Sequence, residues 1–135
     1  MTAVLKDEAA PIRSEEDVVR VRQRVRQAAL ELKFSLVEQT KIVTAASELA
    51  RNTLVHGGGG TMRIERLSDG SRQGLRLTFD DQGPGIADLA LAMQDGYTTG
   101  HGLGLGLSGS KRLMSDFTIE SRLGQGTCVT VTRWR

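Results

Sequence analysis

A glycine-rich run in the last third of the chain has the composition of a phosphate-binding loop. Residues 100–109 read G-H-G-L-G-L-G-L-S-G, and a segment that permits a helix follows them. Glycine adopts positive φ angles and lets backbone N–H groups approach an anion with no Cβ in the way. The first turn of a following helix would add free N–H groups and a favourable dipole. The run therefore indicates a phosphate site, with a flexible loop as the alternative.

Two familiar phosphate-binding motifs fit this run only in part. Residues 104–109 match the dinucleotide pattern G-x-G-x-x-G, but a turn-like stretch stands where that pattern requires a strand. Residues 104–111 approach a P-loop, but Ser110 occupies the position of its lysine. The H-R-D and D-F-G signatures of protein kinases are absent from the sequence. If the glycines bind a phosphate, they therefore do so together with residues outside these three motifs.

Three polar side chains recur four residues apart in a segment with helical periodicity. Glu48, Asn52 and His56 would lie one above the other on a helix. A carboxylate and an amide oxygen one turn apart can hold a hydroxyl or a water beside a metal ion. Because Mg²⁺ prefers hard oxygen ligands, one Asn oxygen with phosphate oxygens is a sufficient set. The alternative is a solvent-facing pair on an ordinary surface helix.

A carboxylate at the end of a strand-like segment forms another candidate site. Asp81 precedes Gly83 and Gly85 in a stretch that stops the strand. Its carboxylate could accept a hydrogen bond from an exocyclic amine, while the two glycines let a flat ring approach the backbone. A simple turn after a strand is the alternative for this motif alone.

Periodicity and capping signals predict the elements that must position these residues. Ser14 is a predicted helix cap, and Ser35 with Glu38 forms a predicted capping box. The predicted order is an edge strand (1–13), two helices (14–33 and 35–56), a strand pair (62–65 and 75–79), a short helix (87–93), a helix (108–115) and a last hairpin (117–122 and 127–134). This order predicts one domain over residues 1–135 with an α+β fold, a two-layer sandwich whose mostly antiparallel sheet carries helices on one face.

Composition restricts the function classes. The 135 residues carry a net charge of +2, so no strong field toward nucleic acid or a membrane is expected. The arginine-rich helix at residues 18–33 is expected to present a solvated face. Cys128 is the only cysteine, which excludes an internal disulfide. With no signal peptide and no apolar stretch of spanning length, we expect a cytoplasmic protein that binds neither nucleic acid nor a membrane.

The order of the motifs is more specific than any one of them. E-x-x-x-N on a helix, D-x-G-x-G after a strand and G-x-G-x-G before a helix resemble the Bergerat-fold (GHKL) ATPases, the superfamily of gyrase, heat-shock protein 90, histidine kinases and MutL. The G-Q-G-T at residues 124–127 resembles their last motif. Residues 47–52, 81–86 and 111–114, with Trp134, look like the RsbT-type serine/threonine kinases. His56 is similar to a residue of the sibling anti-sigma-factor kinases.

This resemblance implies a role for each matched residue. Glu48 would be the general base, and Asn52 would bind Mg²⁺ beside ATP. The adenine end would be bound by Asp81, Gly83, Gly85 and Thr127, and the phosphates by Gly102, Leu103, Gly104, Leu105 and Gly106. Phosphoryl transfer needs mainly such positioning and charge stabilisation.

The resemblance also implies a function. It indicates a kinase that phosphorylates a serine or threonine of a STAS-domain antagonist within a stressosome. When released, the kinase would bind and activate a PP2C-type phosphatase in a bacterial partner-switching pathway. The alternatives are an anti-sigma-factor kinase that binds a sigma factor, a non-catalytic ATP-binding module, and an ATP-hydrolysing fragment of a larger machine. A homodimer is left open.

The segment before the glycine run is predicted to be a short lid. Leu89, Leu91 and Met93 would form a docking patch shared by the antagonist and the phosphatase, or would pack against the sheet. His101 could contact a phosphate or stay solvated, and Lys111 is a candidate phosphate partner.

Overall fold

A computed structural model describes residues 2–86, 93 and 106–135. In chain order its elements are β1 (Ala3–Ile12), α1 (Glu15–Glu31), α2 (Leu36–Val55), β2 (Gly60–Ser68), β3 (Gln73–Asp81), α3 (Gly106–Leu113), β4 (Asp116–Arg122) and β5 (Gly126–Trp134). The strands form one antiparallel sheet in the order β1-β2-β3-β5-β4. The predicted α+β fold and the predicted edge strand are confirmed.

Both long helices begin at the predicted caps. The Ser14 side chain accepts a hydrogen bond from the Asp17 backbone N–H at the start of α1. At the start of α2, Ser35 and Glu38 form the reciprocal capping box. Lys33, with a φ of 63°, lies in the left-handed region between the helices. These local interactions satisfy N–H groups that have no partner inside a helix.

The helices cover one face of the sheet. Helical spacing predicts an apolar stripe on α2 (Ile42, Ala45, Ala46, Leu49), and the structure buries it fully. The stripe packs in one core with inward-facing side chains of β2, β3 and β5 (Met62, Ile64, Leu75, Leu77, Phe79, Val129, Val131). The opposite face carries ion pairs between strands, Asp7 with Arg63 and Glu65 with Arg76. This alternation confirms the predicted two-layer arrangement.

Some predicted boundaries were wrong by one or two residues. Helix α3 begins at Gly106 rather than at Ser108 and ends at Leu113 rather than at Ser115. Ser115 lies outside the helix, just before β4, and its N–H donates to the Thr132 carbonyl oxygen, 2.8 Å away. The short helix predicted at residues 87–93 lies outside the described residues, except for Met93, which is partly buried against the core.

Among the described helices, none combines the length and the apolar character that a membrane crossing needs.

Candidate nucleotide site

Helix α2 carries a buried carboxylate with no partner in the part of the chain that the structure describes. Glu48 is 8% exposed, and within the described part of the chain it makes no hydrogen bond or ion pair. Asn52 follows one turn later and is half-buried. A carboxylate that is mostly withdrawn from water and has no fixed donor is uncommon in a folded protein, so Glu48 is a candidate functional group. The structure therefore disfavours the alternative of a solvent-facing pair.

His56 continues the predicted line of three just beyond α2, with α-helical backbone angles. It lies just after the last residue of α2, where its N–H donates to the Asn52 carbonyl oxygen at 2.9 Å, and it is exposed. The next residue, Gly57, donates to the same oxygen at 3.2 Å. The Asn52 carbonyl oxygen thus accepts hydrogen bonds from two successive backbone amides at the end of the helix. After them the chain passes close to Asp81, at the end of β3.

Asp81 is the last residue of β3 and is held by backbone amides. Its Oδ1 accepts hydrogen bonds from Gly83 N at 2.9 Å and from Thr127 N at 3.2 Å. The second donor lies 46 residues away in sequence, and strand pairing of β3 with β5 brings it there. Because Oδ1 is held in this way, Oδ2 is the atom that can accept from a ligand. The structure thus brings together Asp81, Gly83 and Thr127, as predicted.

Gly57 was not predicted as a site residue, and the structure gives it a defined role. A Cβ at this position would overlap the Asp81 side chain. On the other side, a Cβ at Gly83 would lie 2.7 Å from the Gly57 Cα. The end of α2 and the strand-end loop therefore approach each other as closely as two glycines allow. The sequence signal is the cluster of four glycines at residues 57–60, which by itself indicates only the end of a helix.

A second residue missed from sequence is Ser121, on β4. Its Oγ accepts a hydrogen bond from Ile86 N at 2.7 Å and lies 2.9 Å from the Thr127 Oγ1. Gly85 lies between these contacts with a φ of 77°, and a Cβ there would overlap the Arg122 carbonyl oxygen. The loop after Asp81 is therefore fastened to the β4–β5 hairpin. A serine in a strand gives no local signal of such a role.

The start of α3 is the described end of the predicted phosphate loop. Gly106 begins this helix inside the glycine run, two residues before the predicted helix start. Gly102, Leu103, Gly104, Leu105 and His101 lie outside the described residues. Lys111 is exposed in the last turn of α3, and its predicted phosphate contact is untested.

The donor set fits Mg²⁺ bound jointly with phosphates. No cluster of three or more His, Cys, Asp or Glu side chains that could hold a metal occurs among residues 2–86, 93 and 106–135. A Mg²⁺ ion typically uses one or two protein oxygens and completes its shell with waters and substrate phosphates. The Asn52 amide oxygen, one turn from the unpartnered Glu48, meets that requirement.

Comparisons with known proteins agree with this geometry. Residues 37–134 match the family described as "Histidine kinase-, DNA gyrase B-, and HSP90-like ATPase". The chain is 46% identical over 123 residues to the serine/threonine-protein kinase RsbT of Bacillus subtilis, covering 91% of this chain and 92% of that one. It is 30% identical over 112 residues to the anti-sigma F factor of a Thermoanaerobacter species, covering 78% and 77%.

A solved structure shows the same fold. The RsbU and RsbW domains of a Mycobacterium tuberculosis protein superpose with a TM-score of 0.68 at 21% identity, covering 96% of this chain and 33% of that chain. The family match and the identity to the RsbT kinase therefore agree with the arrangement around Asp81. The chain belongs to the histidine kinase-, gyrase B- and HSP90-like ATPase family, among its RsbT-type serine/threonine-protein kinases.

Proposed function

We propose that this kinase transfers the γ-phosphoryl group of ATP to a serine or threonine of a STAS-domain antagonist in a bacterial partner-switching pathway. The observation that carries the proposal is the buried Glu48, one turn from Asn52, with no partner among residues 2–86, 93 and 106–135. An ATP-binding module without chemistry has no need for a carboxylate in that state. The structure therefore favours a kinase over a non-catalytic switch.

The proposed roles follow from where each group lies. Asp81 Oδ2 accepts from the adenine amine, and the loop fastened by Ser121 and Thr127 shapes the adenine pocket. From Val55, the last residue of α2, to Glu48 the helix rises by about 10 Å, at 1.5 Å per residue. Glu48 therefore lies about two turns along α2 from the proposed adenine end, and we propose that the phosphates extend from that end toward it.

The transfer step balances without another reactant. The hydroxyl oxygen of the acceptor forms a bond to the γ-phosphorus, the bond from that phosphorus to the β–γ bridging oxygen breaks, and ADP leaves. The hydroxyl proton passes to Glu48, whose carboxylate has no competing donor among the described residues. Asn52 would hold Mg²⁺, which neutralises charge on the phosphates when it is bound.

Two protein partners remain to be distinguished once the antagonist is phosphorylated. RsbT-type likeness supports release onto a PP2C-type phosphatase, within a stressosome, whereas likeness to the anti-sigma F factors supports binding of a sigma factor. The higher identity to the RsbT-type kinase makes the phosphatase our proposal. A homodimer of the kinase is also possible, and gel filtration of each complex would show it.

The experiment combines the purified kinase with labelled ATP, Mg²⁺ and each STAS-domain protein of the same organism. We expect label on one serine or threonine of at least one of them. Labelled antagonist should then free the kinase to co-elute with the PP2C-type phosphatase and raise its activity. Absence of label on every STAS protein would overturn the kinase proposal. Co-elution with a sigma factor alone would favour the anti-sigma alternative.

A further inference from the structure

Helix α3 is fastened to the sheet at its C-terminal end. The Nη1 of Arg133, on β5, donates a hydrogen bond to the carbonyl oxygen of Leu113, the last residue of α3, at 3.0 Å. Just beyond the helix, the Ser115 N–H donates to the Thr132 carbonyl oxygen at 2.8 Å, and the Trp134 N–H donates to the Ser115 Oγ at 3.1 Å. Three successive residues of β5 therefore hold the junction between α3 and β4.

Of these hydrogen bonds, the one from Arg133 is made to the helix itself. The last four carbonyl groups of an α-helix have no partner within the helix, and a cation beside them also complements the helix dipole. The Arg133 guanidinium supplies both a donor and a positive charge at Leu113. Because the Arg133 side chain is only 21% exposed, solvent and salt weaken this interaction less than they weaken one on the open surface.

The same guanidinium reaches the start of α2. Its Nε lies 3.8 Å from the Oε2 of Glu38, in the first turn of α2, which is close enough for an ion pair but too long for a hydrogen bond. The other carboxylate oxygen of Glu38 accepts hydrogen bonds from the backbone N–H and the hydroxyl of Ser35 in the capping box. Arg133 therefore connects the end of α3 with the first turn of α2, the helix against which α3 packs.

The orientation of α3 is important because of the residues that precede it. Its first residue, Gly106, belongs to the glycine run that we propose binds the phosphates of ATP. Backbone amides at a helix start bind an anion only when they point at it, so their placement depends on the orientation of the helix. A displacement of about 1 Å, caused by a change far from the chemistry, can cost roughly 10²-fold in rate. A residue that fixes the opposite end of α3 therefore influences how well the phosphates are bound.

We infer that Arg133 is a positioning residue for ATP, which holds the C-terminal end of α3 and thereby places the phosphate-binding amides at the other end of that helix. The inference rests on the proposed function, because it takes the glycine run and the start of α3 to be the phosphate site. It gives Arg133 no contact with the nucleotide, whose adenine end is proposed to lie at Asp81 and Thr127.

The test compares two ligands that share the adenine base. ATP would use both ends of the proposed site, whereas adenosine would use only the contacts around Asp81. Arg133→Met keeps an unbranched side chain but removes the charge and the hydrogen-bond donors. We expect it to lower the affinity for ATP roughly tenfold and to leave the affinity for adenosine within about twofold of the parent. Displacement calorimetry in the presence of Mg²⁺ measures both affinities.

Arg66 supplies a matched control on β2, which β3 separates from β5. Like Arg133, it joins a strand to a helix, since its Nη2 lies 3.0 Å from Glu31 Oε2 on α1, and its buried Nε has no hydrogen-bond partner among the described residues. Arg66→Met should lower the urea midpoint, as Arg133→Met should, but change neither affinity by more than about twofold. Arg133→Lys keeps a cation and a donor, so it should bind ATP within about threefold of the parent.

Unchanged ATP affinity in Arg133→Met would overturn the inference, as would an equal fall in adenosine affinity or an equal effect of Arg66→Met. If Arg133→Met does not fold, Arg133→Gln, with a shorter polar side chain, replaces it under the same expectations. The proposed function fails separately, if the parent labels no STAS-domain protein, because these titrations need no protein substrate. If the parent binds ATP no more tightly than adenosine, the phosphate assignment is wrong and the inference is overturned with it.

Discussion

Glu48 and Asp81 are two carboxylates with the same exposure, 8%, and opposite surroundings. Asp81 has one oxygen fixed by two backbone amides from separate parts of the chain. Glu48 has no partner among the described residues. A carboxylate held by fixed donors is suited to recognise one ligand group in one orientation. A carboxylate without donors keeps its capacity to accept a proton. Equal burial therefore accompanies two different surroundings, and we propose ligand binding for Asp81 and chemistry for Glu48.

Removing the proton acceptor should have the largest effect. Glu48→Gln keeps the size of the side chain but removes the base, so phosphorylation of the STAS protein should fall by roughly 10²–10⁴. ATP affinity should change by no more than about twofold. Single-turnover transfer and calorimetry measure the two quantities, with the exposed Glu16→Gln on α1 as a matched control. Transfer at the parent rate would place the base elsewhere.

Asp81→Asn should act on binding instead. The amides of Gly83 and Thr127 would hold the Asn oxygen at the Oδ1 position, which places the NH₂ group where the adenine amine also donates. A mispaired buried donor costs roughly 1–3 kcal/mol, so ATP affinity should fall about ten- to a hundredfold. Asp80→Asn, an exposed neighbour on the other side of the strand, should leave ATP affinity unchanged in the same calorimetric titration. Equal affinity in the Asp81 variant and the parent would falsify the adenine assignment.

Gly57→Ala tests whether the position of the Asp81 carboxylate depends on its close contact with Gly57. The added methyl would overlap the Asp81 side chain and displace it, so ATP affinity should fall by roughly tenfold. The control is Gly58→Ala, which has open space around its Cβ and a φ of 73°. That change should lower the free energy of unfolding by about 1–2 kcal/mol but leave ATP affinity intact. If the two variants bind ATP equally well, Asp81 does not depend on the close approach of Gly57.

A third carboxylate, Glu65, is satisfied by a cation and should show the smallest effect. The Arg76 guanidinium donates two hydrogen bonds to it, at 2.8 and 3.0 Å, and holds the pKa of Glu65 below its ordinary value of 4.5. Because the pKa is lower in the folded state, the pair stabilises the fold above about pH 4.5. That stability is lost as the pH falls through the folded-state pKa.

Glu65→Gln should therefore lower the free energy of unfolding at pH 7 by no more than about 1 kcal/mol, as expected for a partly exposed pair. It should also reduce the loss of stability between pH 5 and pH 3. Urea denaturation at several pH values measures both. If the stability of the variant varies with pH as that of the parent does, the charge of Glu65 does not contribute to the free energy of unfolding.

The sequence by itself determined the features that depend on neighbours within one turn or one strand. The caps at Ser14 and Ser35, the buried stripe of α2 and the alternation in β2 and β3 were all predicted, because each arises from contacts three or four residues apart or from a period of two. The motif order was sufficient to indicate the superfamily, and the sequence comparisons confirmed it.

Only the tertiary structure decided which atoms meet across the sheet. The hydrogen bond from Thr127 to Asp81 and the contact of Ser121 with Ile86 depend on the pairing register of distant strands, which no local pattern specifies. The role of Gly57 depends on a side chain 24 positions later that folds against it. Likewise, the arginines of α1 were expected to form a solvated face. Which of them lack an acidic partner among the described residues became visible only in the folded arrangement of the two helices and the sheet.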